Sequence, residues 1–121
     1  MQEQVTSFIL KITGISPGLK DEYNKISAYW APDQPPVTTA LGQLGDRIVD
    51  DLDIIDLVAN EAIFAEIEKV MVGDDIELKT AVATGMIEGI VGRASRGGTW
   101  DRIRPILGKA SASYADAWAS D

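Results

Sequence analysis

The residues best suited to chemistry in this chain are carboxylates. Between residues 46 and 77 they are Asp46, Asp50, Asp51, Asp53, Asp56, Glu61, Glu66, Glu68, Asp74, Asp75 and Glu77, opposed only by Arg47 and Lys69. Asp50, Asp53 and Asp56 recur every three residues, so a helix through them would present several on one face. Glu61 and Glu68 lie seven apart and share a face as well. Such a row can dock the Lys and Arg side chains of a partner, and its field can speed association by about ten- to a thousand-fold at low salt. The competing reading of any single carboxylate is a solvated helix face or a helix cap.

Other chemistry fits these residues poorly. Paired acids on a helical bundle can hold Mg²⁺ or Mn²⁺. Glu66-Ile67-Glu68, however, points its two acids apart, and Asp50-Asp51-Leu52-Asp53 misses the Asp-Asp-x-x-Asp spacing of prenyl-chain enzymes. No metal site and no cofactor are expected. The chain has no His and no Cys, so the commonest proton shuttle, nucleophile and soft ligands are missing. Ser and Thr lack a partner base, and Ser–Lys chemistry would need a buried neutral Lys that nothing marks. No catalytic residue is expected, and a binding protein is favoured over an enzyme.

Composition narrows the partner. The formal net charge is -8, which repels phosphates and favours a basic protein over nucleic acid. A basic group, Arg93, Arg96, Arg102, Arg104 and Lys109, surrounds Trp100 and could meet nucleic acid. It is small, and pairing with acids of the preceding helices is the simpler expectation. At 121 residues and 45% hydrophobic content the chain is one domain, 1–121, with a real core. The start, Met1 to Val5, lacks the basic residues of a signal peptide, and no apolar run approaches the roughly 20 residues of a membrane span. A cytoplasmic location without membrane contact is expected.

The elements that carry these residues read as helices throughout, because no useful segment alternates with period two. The first helix is predicted over about Glu3 to Thr13, stopped by Gly14. The second begins at Pro17 with Ser16 as its cap, and Ala31 to Pro36 breaks it. The third spans about Pro36 to Asp50 and carries the stripe Val37, Leu41, Leu44, Ile48 and Leu52. The fourth covers about Asp53 to Val72, with Asp53 as a cap or with the two helices continuous. The fifth follows Asp74, with Glu77 completing a capping box, and ends near Gly92. On it, Ala81, Gly85, Gly89 and Gly92 form a small-residue stripe, whose cost of about 1 kcal/mol per glycine calls for close approach of a neighbouring helix. Arg93 to Gly98 reads as a loop. Thr99 would cap a short helix limited by Pro105, and a last helix carries Tyr114 and Trp118. The fold class is all-α, a compact antiparallel helical bundle or a short HEAT-like helix stack.

Two stretches carry a resemblance. Phe64-Ala65-Glu66-Ile67-Glu68 followed by Gly73 to Glu88, and the ending Trp100, Leu107-Gly108 and Tyr114 to Trp118, resemble small acidic helical bacterial immunity proteins. These belong to polymorphic toxin systems, including contact-dependent growth inhibition. The resemblance covers about half the chain, from the fourth helix onward, and rests on packing motifs. It implies a cytoplasmic antitoxin that binds one cognate toxin domain and blocks its active site. A basic nuclease is the expected toxin, since its cationic cleft suits an acidic helical face. Asp50, Asp53, Asp56, Glu61 and Glu68 are the expected contacts. The alternative is a helical adaptor or regulatory subunit of a protein complex.

Overall fold

The structure is a computed structural model and describes residues 1–119. Every element among them is helical: α1 (Glu3–Ile15), α2 (Pro17–Trp30), α3 (Val37–Asp50), α4 (Leu57–Met71), α5 (Ile76–Ala81), a π-helical turn (Val82–Ile87), α6 (Glu88–Gly97), α7 (Trp100–Ile103), a 3-10 turn (Arg104–Ile106) and α8 (Lys109–Ala119). The all-α bundle expected from the sequence is what the chain forms.

Local chemistry accounts for the helix boundaries, and several differ from expectation. Gly14 does not stop α1; Ser16 does. Its N–H donates to the Ile12 carbonyl, and its Oγ accepts from Leu19 N–H at 3.2 Å, so one buried serine closes α1 and opens α2. Asp75, not Asp74, caps α5 by accepting from Leu78 N–H at 3.0 Å. Arg93 to Gly97 is helix and not loop, because Ile90, Val91 and Ala94 continue the buried stripe. The chain turns out only at Gly98, whose φ of 75° is left-handed and suits glycine. Thr99 makes no side-chain cap, and its buried hydroxyl has no partner among the described residues.

The centre of the bundle is the contact of α3 with the continuous rod of α5, the π turn and α6. A Cβ on Gly45 would lie 2.7 Å from the Met86 carbonyl oxygen, and one on Gly89 would lie 2.9 Å from that of Gly42. Two glycines of the stripe, Gly85 and Gly89, therefore do what their cost implied and let the rod touch α3, whereas a Cβ on Gly92 would meet only Arg96 of its own helix. The pairs advance together, Thr38 beside Gly85, Gly45 beside Ile90, and Asp50 beside Arg93. The two helices thus run parallel, and α4 returns the chain between them. Phe8, Ile9, Ile12, Leu41, Leu44, Ile48, Ile63, Ile67, Met86, Ile90 and Ile103 fill the core. The π turn is a widened part of that core, packed on α3, and its Val82, Ala83, Met86 and Ile87 are buried. No helix among the described residues is long and apolar enough to cross a membrane.

Candidate partner-binding face

The acids expected on one helix are divided by a turn. After α3 ends at Asp50, residues 51–56 form a tight turn, and α4 begins only at Leu57. Leu52 N–H donates to the Val49 carbonyl, while the N–H groups of Ile54 and Ile55 converge on the Asp51 carbonyl. The Asn60 carboxamide reaches back and donates to the Leu52 carbonyl at 3.0 Å. These bonds satisfy the backbone without helical continuation, so neither Asp53 nor a fused helix starts α4. Asp56 does, accepting from Ala59 N–H at 2.8 Å.

Most of the candidate contacts already have an internal task. Asp50 accepts two bonds from Arg93, each 2.9 Å, in a fork that ties α3 to α6. Asp53 pairs with Arg102 on α7, and that hydrogen bond holds its carboxyl below the usual range. Asp56 spends one oxygen on the α4 cap. Glu68 caps a distant helix: its carboxylate accepts from Ala110 N–H at 2.9 Å, Ser111 N–H at 2.9 Å and Ser111 Oγ at 2.7 Å. Gly108 leaves room for it, since a Cβ there would fall on the carboxylate. Burial pushes Glu68 up, but the three hydrogen bonds outweigh it and hold the group below the ordinary glutamate range. Glu61 is exposed and has no ion pair among the described residues.

Several cations nearby are taken as well. Arg47 is held between Glu22 at 3.1 Å and the buried Asp51 at 2.9 Å. Arg104 closes on Asp116, and Tyr114, pushed up to about 12 by burial and by the neighbouring carboxylate, donates to Glu88 at 2.5 Å. Three of the five cations around Trp100 therefore pair with acids: Arg93 reaches the end of α3, Arg102 the turn after it, and Arg104 turns to α8, whereas Arg96 and Lys109 make no ion pair among the described residues. Asp46 lies near Arg93 and Arg96, yet burial, with Asp50 and Glu22 adding like charge, raises its pKa.

Exposed large hydrophobic side chains gather at the turn into α4, with others away from it at Leu10, Tyr29, Val72 and Ile76. Ile54 is 77% exposed, Leu57 65% and Val58 76%. Beside them Leu52, Asp53, Ile55, Leu57, Asn60, Arg102 and Ile106 line a depression of about 320 Å³. The sequence reading weighed the charges of this segment and passed over its aliphatic side chains. The signal was present in Ile54-Ile55-Asp56-Leu57-Val58, which has too many apolar residues for one inward face.

Elsewhere, a cleft of about 350 Å³ is lined by Phe8, Lys11, Glu66, Lys69, Asp74 and Asp75 among others, so its charge is mixed. A wider groove of about 700 Å³ lies beside Val5, Val37, Ile76 and Ala81. No group of three or more acids among the described residues is gathered closely enough to hold a metal ion.

A sequence family described as Domain of unknown function (DUF7674) matches residues 9–120. Comparison with curated proteins gave no match, and comparison with solved structures gave none either.

Proposed function

The chain belongs to the DUF7674 family, and from its charge and free surface we propose that it is a non-enzymatic antitoxin. In this reading it is a cytoplasmic immunity protein that binds a basic toxin domain, best a nuclease, and covers that domain's cationic cleft.

The observation that carries the reading is the acid left unmatched at the junction of α3 and α4. Arg47, Arg93 and Arg102 are engaged by Glu22 and Asp51, by Asp50, and by Asp53. Asp56 and Glu61 have no cation among the described residues, and the chain as a whole carries a net charge of -8. A cationic surface approaching this end finds carboxylates whose ion-pairing capacity is unused. Of the five contacts expected from the sequence, Asp56 and Glu61 are the ones retained for direct pairing. Asp50, Asp53 and Glu68 act first as internal braces that shape the face.

The second reading is a helical adaptor within a larger complex. It is favoured by the spread of exposed apolar side chains over several elements, Leu10, Tyr29, Ile54 and Ile76 among them. Capture of the tagged protein's partners from its own cell lysate, followed by an activity assay of the captured partner, separates the two. A stoichiometric basic domain whose activity vanishes on rebinding supports the antitoxin. A basic partner whose activity is untouched, or a multi-subunit near-neutral assembly, overturns it in favour of the adaptor.

A further inference from the structure

We propose that the apolar turn into α4, Ile54, Leu57 and Val58 with the adjoining depression, is the energetic centre of the interface, and that it seats an amphipathic helix whose apolar face is flanked by Lys or Arg. The inference rests on the basic-partner reading above and deepens it: the carboxylates become the rim, and the aliphatic residues become the core.

The bundle-facing stripe of α4 runs Leu57, Asn60, Phe64 and Ile67 at spacings of three, four and three, with the polar Asn60 among the apolar residues. Asn60, Phe64 and Ile67 are buried against the bundle, whereas Leu57 overshoots it and stays 65% exposed. Val58 and Ile54 flank it at 76% and 77%. Isolated exposed aliphatics are ordinary, but Ile54, Leu57 and Val58 are three within five residues, and Leu57 reaches a depression that Leu52, Ile55 and Ile106 share with Asp53, Asn60 and Arg102.

Asn60 fixes the turn beneath this surface: its side chain borders the depression, the residue is 3% exposed, and its Nδ2 donates to the Leu52 carbonyl.

Charge selects the occupant. Asp56 and Glu61 border the apolar residues and have no cation among the described residues, and Asp53 holds Arg102, which lines the depression. A second copy would bring the same acids and a further net charge of -8 against this face. A cationic amphipathic helix brings the opposite charge around a matching apolar stripe, which is the anatomy of an apolar core within a polar rim.

The test titrates the isotope-labelled full chain with a helical peptide of leucine and lysine at amphipathic spacing, and follows backbone and Asn side-chain amides by NMR. The expected result is a set of shifts centred on residues 52–61 and the Asn60 side chain, persisting at about 1 M salt, where the Debye length is about 3 Å. Leu57→Ser and Val58→Ser should each weaken affinity about ten-fold or more with unchanged thermal unfolding, while Tyr29→Ser leaves affinity unchanged. Shifts spread over carboxylates that vanish in salt overturn the apolar centre but leave the basic-partner reading standing. Preference for a leucine and glutamate peptide overturns both. Shifts at residues 52–61 that grow with protein concentration alone overturn the cationic helix in favour of a second copy.

Discussion

The two ends of α4 put the same side chain to opposite uses. Glu61 and Glu68 sit seven residues apart on nearly the same face, yet Glu68 is locked onto the N-terminus of α8 by three hydrogen bonds while Glu61 has no cation to meet. Nothing in their immediate sequence separates them. What differs is the chain that folds back over each: Gly108 brings the first turn of α8 against Glu68, and Glu61 stays exposed among the described residues. A carboxylate becomes structural when uncapped N–H groups reach it, and stays available when none do.

The sharpest way to break this contrast is to delete both acids in turn. Glu68→Ala removes the acceptor for two α8 amides and a buried serine hydroxyl, and is expected to cost about 2 kcal/mol in chemical denaturation. Hydrogen exchange at Ala110 and Ser111 should accelerate first, because the end of α8 loses its anchor. Glu61→Ala should leave the denaturation midpoint where it was. Equal losses for the two would mean that Glu61 also has an internal task.

Acid titration sharpens the same comparison. Glu68 has a folded pKa below that of free glutamate, about 4.3, so its contribution is fully present above that value and is lost as pH falls through the depressed folded pKa. The Glu68→Ala variant should therefore show a shallower acid limb in stability against pH. Asp46 works the other way. Its pKa is raised by burial, so the folded chain holds its proton longer than the unfolded one, and the destabilisation appears as pH rises from the free aspartate value through the folded one. Asp46→Asn should then gain stability at neutral pH and lose that gain in acid. Urea midpoints at pH 3, 5 and 7 would check both signs, with the Glu68 effect the larger because it carries specific hydrogen bonds.

How much could be read beforehand follows from the same distinction between local and distant partners. The Ser16-Pro17 start of α2, the proline break after Trp30 and the aliphatic stripes of α1 and α3 depend on residues a few positions apart, and they stood in the sequence. So did the glycine stripe, whose cost demanded a close neighbour. The role of Glu68 depends on amides 42 and 43 residues away, and that of Asp50 on Arg93 at 43. No periodicity reports such pairings. The turn at residues 51–56 was missed for a different reason. Its acids were read as a helical row, whereas the Asn60 carboxamide and the Asp56 cap give that backbone another way to satisfy its polar groups.

Exposed ion pairs should move stability less than either Glu68 or Asp46. Asp53→Asn releases Arg102 at the edge of the depression, where water screens the pair, and the unfolding midpoint is expected to stay within error. The informative readout is partner affinity against salt. A freed Arg102 would repel an incoming Lys or Arg, so the variant should bind more weakly at low salt and converge on the unmodified chain at high salt.

The smallest effect on stability and the most specific effect on recognition are expected at Glu61. Reversing it with Glu61→Lys disturbs no internal bond, so thermal unfolding should be unchanged. It places a cation one turn from Leu57 on the face proposed to receive a basic helix. A rim charge of this kind acts on diffusional approach more than on the lifetime of the docked state. In stopped-flow mixing with the leucine and lysine peptide, the association rate should fall several-fold at low salt. The dissociation rate should hold, and the difference should close as salt rises. Leu57→Ser should do the reverse, quickening dissociation at every salt concentration. If Glu61→Lys instead changes dissociation and Leu57→Ser changes association, the carboxylate lies in the core of the interface, the leucine belongs to its rim, and the two ends of α4 differ in something other than what the fold leaves uncovered.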